Sequence, residues 1–412
     1  MFLTKLALRN LTRHKKRTVI TSLVISFGIF IFLVSDSLMV GLSDMSLDNN
    51  VDLQTAHLQI MEEEYWANKD EMPLDNLLKE DNKIIKEISN NPQVKAYTPR
   101  LYFTATINNG REDYPVKVIG INTKKDVEVI KLDGYILEGE MLQEGKFAII
   151  GKGLSELMDF RVNDYITLLF KTKEGTYNTI DAKLIGLLDT PHPNINKQNV
   201  YIPLLLAQNS LNTGDKVSRF LFNLETREQS IQLAEQFNRR FSQDGMSLKA
   251  YNWEKLSYEM LAMLKQGNIE NLVMLFIIII LATAGVINTV ILSALERLEE
   301  IGMMKALGLR AYEIVYIFVI EAAGIGIIGS TIGVILGGIG VYLLKEVGIS
   351  LSMMTGGETT FGIPIAENIY GGWNPETFFF IFIFGILVSV LASILPARWG
   401  AKKDPVKALY HK

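Results

Sequence analysis

The chain of 412 residues contains no cysteine. A disulfide framework, a thiolate metal site, an iron–sulfur cluster and a cysteine nucleophile are therefore excluded. Histidine is scarce: His14, His57, His192 and His411 are the only four, and no two stand close together. This leaves no HExxH zinc motif and little basis for a Ser–His–Asp site. A large basic excess is also lacking. The net charge of −4 gives no reason to expect nucleic-acid binding. A phosphate-binding loop is missing as well. In GEMLQEGKF, five residues rather than four separate Gly139 from Gly145, and Phe147 stands where Ser or Thr would meet Mg²⁺. No catalytic, cofactor-binding or metal-binding residues are expected in this chain, so any ATP and Mg used would be bound by another subunit.

Long apolar runs are present. A bilayer crossing needs roughly 20 residues at ~1.5 Å rise each. Four segments qualify, at about 19–42, 269–295, 314–344 and 377–395. The first follows a basic stretch but is too long for a cleaved signal peptide, and SDSLMVGLSD is a poor cleavage site. It reads as an uncleaved anchor. Residues 1–17 carry six basic residues and no acid, whereas 396–412 carry five against Asp404. The positive-inside rule places both termini in the cytoplasm. Residues 43–268 hold 26 basic and 33 acidic residues and are expected outside. The resulting fold class is a membrane protein of four transmembrane helices. A large α+β extracytoplasmic domain is inserted between helices 1 and 2. A cytoplasmic entry helix (1–18), a cytoplasmic segment (296–310), an outer loop (345–376) and a cytoplasmic tail (396–412) complete it.

Within the outer domain, Leu53–Met61 reads as a strand and Glu80–Asn90 as a helix with Ile84, Ile85 and Ile88 in register. Val94–Asn108 and Asp113–Ile121 read as strands around an Asn-Asn-Gly turn. Later, Ser218–Glu225, Arg227–Phe241 and Leu248–Tyr251 read as strand, helix and strand. The pattern predicts a split sandwich carrying an inserted subdomain at about 123–216. The insert itself reads as strand Phe147–Ile150, helix Lys152–Met158, strand Tyr165–Phe170 and strand Tyr177–Leu188. In LLDTPHPNINKQNVYIP (187–203), two prolines and three asparagines predict a projecting loop between strands. Its candidate docking residues for a soluble partner are Asp189, Thr190, Pro191, His192, Pro193 and Asn194.

The segment ERLEEIGMMKALGLR (296–310) is a poor helix by itself. Gly302 and Gly308 each cost about 1 kcal/mol relative to Ala. Glu296 and Glu300 are like charges at i,i+4. Arg297 reaches Glu300, but no acidic residue stands three or four positions from Lys305. A helix this weak needs outside support. Leu298, Ile301, Lys305 and Gly308 fall on one side with Met304 beside them, so a docking helix competes with a frayed connector.

These residues also resemble the ER-x-x-EIG-x-x-KALG signature of the FtsX-like permease family, the membrane subunits of type VII ABC transporters. LALRNLTRHKKRTVIT (6–21) resembles the family's basic amphipathic start. EGKFAIIGKGLSELMDFRVNDYITL resembles its strand, Gly-x-Gly, helix and strand. PARWGAKKDPVKALY (396–410) resembles its tail, with Gly400 at a usual alanine. The likeness touches both ends, all four spans and much of the outer domain. It implies that Glu296, Arg297, Glu300, Ile301, Gly302, Lys305, Ala306, Leu307 and Gly308 couple to a cytoplasmic ABC ATPase dimer. It also implies a second permease copy or paralogue. The lipoprotein-releasing LolC/LolE branch, a stand-alone permease with a large outer domain, is the nearest in organisation. It implies release of lipoproteins from the inner membrane to a periplasmic carrier. The alternatives are MacB-like export with a periplasmic adaptor and FtsX-like signalling to a cell-wall hydrolase. An anchored receptor would leave the coupling motif unexplained.

Two features within the spans complete the reading. Gly329, Gly333 and Gly337 form consecutive GxxxG steps that permit close helix approach. Glu321 is an intramembrane acid, costly unless it faces protein or water, while Asp36 is expected to reach interfacial water.

Overall fold

The computed structural model describes residues 2–13, 15–80, 83–296, 298–350 and 368–402. In chain order the principal elements begin with α1 (Phe2–Arg13), α2 (Lys15–Asn50), β1 (Leu58–Glu62), α3 (Lys83–Ser89), β2 (Val94–Asn108) and β3 (Asp113–Ile121). Next come β4 (Ile136–Gly139), β5 (Phe147–Gly151), α4 (Lys152–Met158), β6 (Tyr165–Lys171), β7 (Tyr177–Leu188), α5 (Pro193–Gln198) and β8 (Asn199–Pro203). The chain continues through α6 (Leu204–Leu211), β9 (Arg219–Leu224), α7 (Gln229–Gln243) and β10 (Leu248–Asn252). It ends with α8 (Tyr258–Glu296), α9 (Leu298–Ala306), α10 (Ala311–Val347) and α11 (Pro375–Lys402). Two compact units result: Met45–Ala262 makes the sheet unit, while the described residues of 1–44, 263–350 and 368–402 make the helical unit.

Among the described residues, four helices are long and apolar enough to cross a membrane: Thr18–Thr55, Leu272–Glu296, Ala311–Val347 and Pro375–Lys402. Each closes its own backbone hydrogen bonds, as a segment in hydrocarbon must. Ile25, Ile29 and Leu33 recur every fourth residue on α2 and are buried, whereas Ile20 and Phe27 face outward. The helices overrun the apolar stretches. α2 continues to Asn50, α8 begins at Tyr258, and α11 passes through Pro396 to Lys402 rather than giving way to a tail there. The tail motif from residue 403 onward and loop residues 351–367 lie outside the described residues.

The sheet unit differs from the expected sandwich in two places. Leu53 does not open a strand. The helix widens into a π turn over Val51–Thr55, and Leu47, Asn50, Val51 and Leu53 stay buried along it. Ala56, at φ 55°, ends it, and its N–H donates to the Val51 carbonyl at 2.8 Å. The strand starts only at Leu58.

Nor is the insert a separate subdomain. β8 pairs in parallel with β3 (Lys117↔Asn199 to Ile121↔Pro203), and β6 pairs antiparallel with β2 (Thr106↔Leu169). With β5 joined to both β8 and β7, and β7 to β6, the six strands β2, β3, β8, β5, β7 and β6 close a cycle of pairings. β9, β1 and β10 extend from the free stretch of β2. The period-two alternation sends Leu101, Phe103, Ala105 and Ile107 into one large core shared by insert and flanks. Tyr102 goes to a second core with Ile119, Ile149 and Tyr201.

On the strand face of Tyr102, Arg100 is fully buried and its guanidinium forks onto Asp126, Nε to Oδ1 at 2.7 Å and Nη2 to Oδ2 at 2.6 Å. Burial by itself opposes the charge on Arg100, but the facing carboxylate prevails and holds its pKa well above the usual arginine value.

Candidate functional site

The expected coupling segment forms α9, which a turn at Leu307 and Gly308 ends. Gly308 adopts φ +95°, and the N–H groups of Gly308 and Leu309 return to the carbonyls of Lys305 and Met304 at 3.0 and 3.1 Å. This left-handed glycine stop explains the second of the two costly glycines. Beyond it, the Arg310 N–H donates to the Glu313 carboxylate at 2.7 Å as α10 begins.

The sides of α9 differ from those read in the sequence. Ile301 is only 1% exposed and belongs to the core of the helical unit with Leu11, Ile314, Ala397 and Ala401. Gly302 is also buried, and Met304 packs against the same core. These residues hold the helix in the protein rather than offering it outward. The exposed face carries Met303, Ala306 and Leu307, spaced at i, i+3 and i+4, with Leu307 82% exposed. Glu296 is exposed and Lys305 half-buried. Glu300 accepts a 2.9 Å ion pair from Arg13 of α1, so the amphipathic start of the chain is tied to α9. Arg297 lies outside the described residues. The sequence motif located the segment. The signal for its outward face was the Met303–Leu307 pair, masked by the apolar residues on every side of so short a helix.

The GxxxG glycines lie where α10 meets α2. A Cβ on Gly329 would stand 2.9 Å from the Ser22 carbonyl oxygen, one on Gly333 2.8 Å from Ile29 Cβ, and one on Gly337 2.5 Å from Leu33 Cδ1. Gly324, outside the GxxxG pattern, seats Leu11 of α1 in the same way, at 2.4 Å. Thus α10 is the spine against which α1 and α2 both lie. Glu321 is 3% exposed within the unit. Asp36 is not left to water alone: Asn374 Nδ2 donates to it at 3.3 Å.

The segment 189–194 does not project as a loose loop. Pro193 occupies the first turn of α5, where its missing N–H is harmless. Thr190 and Asn196 clasp each other: the Thr190 N–H donates to Asn196 Oδ1 at 2.9 Å, and Asn196 Nδ2 donates to the Thr190 carbonyl at 2.7 Å. Ile195 is fully buried, and His192 is 5% exposed. Burial lowers the His192 imidazole to about 4, so it is neutral near pH 7. Only Asp189 and Asn194 are exposed, with Pro191 and Pro193 half-buried, and Asp189 pairs with Lys152 at 3.3 Å. The Gly-x-Gly of the neighbouring motif has its reason here. A Cβ on Gly151 would stand 2.3 Å from Asn196 Cα, and one on Gly153 2.9 Å from Lys197 Cγ, so the glycines form the seat of α5.

The family model for the FtsX-like permease C-terminal region matches residues 272–405, and that for the MacB-like periplasmic core domain matches residues 18–240. An uncharacterized ABC transporter permease of Methanocaldococcus jannaschii is 24% identical over 98% of this chain and 96% of its own length. The lipoprotein-releasing system transmembrane protein LolE of Haemophilus influenzae is 24% identical over 79% of each chain. The macrolide export ATP-binding/permease protein MacB of Bartonella quintana is 20% identical over 98% of this chain. The matched region spans 58% of that protein's length.

Proposed function

Because the chain belongs to the FtsX-like permease family, with a MacB-like periplasmic core domain between its first and later membrane helices, we propose that it releases lipoproteins from the inner membrane to a periplasmic carrier. At the coarser level it is an ABC transporter permease of the MacB, LolC and LolE type. Family members work in the membrane with cytoplasmic ABC ATPases. In this proposal such an ATPase dimer supplies the energy, both termini of the chain are cytoplasmic, and a second permease copy or paralogue completes the membrane assembly.

The observation that carries the reading is the two-sided character of α9. Ile301 and Gly302 anchor it in the helical unit, while Met303, Ala306 and Leu307 face outward. A partner gripping the outward face moves the anchor with it. The Arg13–Glu300 pair and the Leu11 seat on Gly324 carry that displacement into α1 and α10, and the glycine stripe carries it into α2. Acyl chains hold a lipoprotein at ~0.8 kcal/mol per buried CH₂, so extraction needs such a driven stroke. In this account Asp189, Pro191, Pro193 and Asn194 contact the carrier, and Thr190 and His192 shape the turn from within.

Similarity to LolE over most of both chains supports release. The second reading, MacB-like export of peptides or amphiphiles through a periplasmic adaptor, has its support in the MacB-type core match and the MacB relative. Copurification from native membranes separates them. Recovery of a soluble lipoprotein carrier with the complex supports release. Recovery of an adaptor and outer-membrane channel overturns release in favour of export, and recovery of a cell-wall hydrolase overturns it in favour of signalling.

A further inference from the structure

The sheet unit contains a cavity of about 220 Å³; of its lining, only Asn194 also figures in the transport reading. For scale, a ~150 Å³ cavity holds benzene. Leu53, Met72, Ile119 and Leu256 give it apolar walls. Its polar lining is rich in donors. The phenol of Tyr102 accepts from Arg100 Nη1 at 3.4 Å, and that of Tyr201 accepts from Asn199 Nδ2 at 3.1 Å. Each phenol O–H is left to donate, and among the described residues neither finds a protein acceptor. Burial keeps Tyr201 protonated by pushing its pKa up.

Arg219 also lines the cavity, its guanidinium 3.9 Å from the Tyr102 ring centre and 5.6 Å from that of Tyr65. One N–H goes to Gln59 Oε1 at 3.1 Å, and the buried Nε has no partner. Among the described residues no carboxylate pairs with it, in contrast to Arg100, which Asp126 neutralises. With that pair set aside, Lys69, Lys117 and Arg219 face only Asp70 and Glu259 around the cavity. A half-buried guanidinium without a counter-ion, beside two phenols lacking acceptors, is an environment that favours an anionic acceptor.

We propose that this cavity binds a small carboxylate with an apolar body. The carboxylate would lie toward Arg219 and the two phenols, and the body against the apolar walls. The lining comes from the segment where the chain enters the sheet unit (Leu53, Thr55) and from the one where it leaves (Leu256, Glu259), so an occupant would bridge the two.

The test uses the full chain in phosphatidylcholine nanodiscs, with 4-fluorobenzoate followed by ¹⁹F NMR and 4-fluorobenzamide as its uncharged counterpart. Charge-assisted hydrogen bonds predict at least about tenfold tighter binding of the carboxylate. Arg219→Met keeps the stem against Tyr102 and should weaken 4-fluorobenzoate about tenfold or more, with Arg219→Lys recovering part of the loss. Lys117→Gln, at an exposed position, should weaken it less, and thermal melts of each variant report folding. Equal affinity for the amide, unaltered binding by a folded Arg219→Met, or no binding of 4-fluorobenzoate at millimolar concentration would overturn the proposal. Displacement by inorganic phosphate as effective as by benzoate would overturn the carboxylate assignment. None of these outcomes depends on what the permease transports.

Discussion

Replacing Leu307 by Asp separates partner contact from the integrity of the helical unit. Leu307 is 82% exposed, so little packing is lost in the chain alone, and a change at such a site alters stability by about 0.5 kcal/mol or less. Burying a leucine against a partner contributes about 1.5–3 kcal/mol, and a carboxylate in the same place adds a desolvation penalty. The cognate ATPase is therefore expected to bind Leu307→Asp about ten- to a hundredfold more weakly while the melting temperature holds. Ile301→Ala is the counterpart. Ile301 is 1% exposed, and truncation should cost about 2–5 kcal/mol of stability before any partner is added. The assay is ATPase binding to each variant in nanodiscs beside a thermal melt of each. Full-affinity binding by Leu307→Asp would refute the assignment of faces. So would an Ile301→Ala variant that melts normally but no longer binds, since that would place the docking face where the structure places the anchor.

Gly333→Ala should lower the melting temperature and impair transport, because its Cβ would stand 2.8 Å from Ile29 Cβ and 3.0 Å from the Ser26 carbonyl oxygen. Gly338→Ala, with Phe378 at 3.6 Å as its nearest neighbour, should do neither. Asp126→Asn leaves the buried Arg100 charge uncompensated and should cost about 3–5 kcal/mol by denaturant unfolding, whereas Arg100→Met with Asp126→Leu should recover most of the loss. His192, neutral in the fold with a pKa of about 4, contributes stability that is complete above the unfolded value near 6.5. That contribution falls as pH drops toward about 4, because only the unfolded chain takes up the proton. His57 is lowered by burial and shifts stability in the same direction. His192→Gln should therefore flatten, but not abolish, the loss of stability between these pH values.

Local pattern carried much of the fold. Val94–Asn108, Asp113–Ile121 and Lys152–Met158 form with the bounds that periodicity gives, because each alternates cleanly or lies between strong turn residues. The cyclic pairing was hidden. Lys117 meets Asn199 across a long stretch of chain, and nothing local marks a parallel partner. The helical overrun of α2 was hidden for another reason. Polar residues after Leu42 read as the end of a span, yet Ser46, Leu47, Asn50 and Val51 keep a buried face, and Asn50 Nδ2 donates to Ser257 at 2.8 Å. In the candidate site the motif located α9 but could not show that Ile301 is buried in the helical unit, because that depends on α1, α10 and α11, which are remote in sequence. At 189–194, proline and asparagine read as exposed loop. Pro193 at a helix start and the Thr190–Asn196 clasp make it an ordered turn over Gly151 instead.

Coupling through α9 requires that an ATP-hydrolysing subunit grip its exposed surface. The chain has no cysteine, so Leu307→Cys places one thiol in it. Cross-linking that variant with a short thiol–amine reagent in intact cells should join it to an ABC ATPase, with Ile301→Cys giving little product. An ATPase adduct at Ile301→Cys but not at Leu307→Cys, or no ATPase adduct at either position, would contradict it.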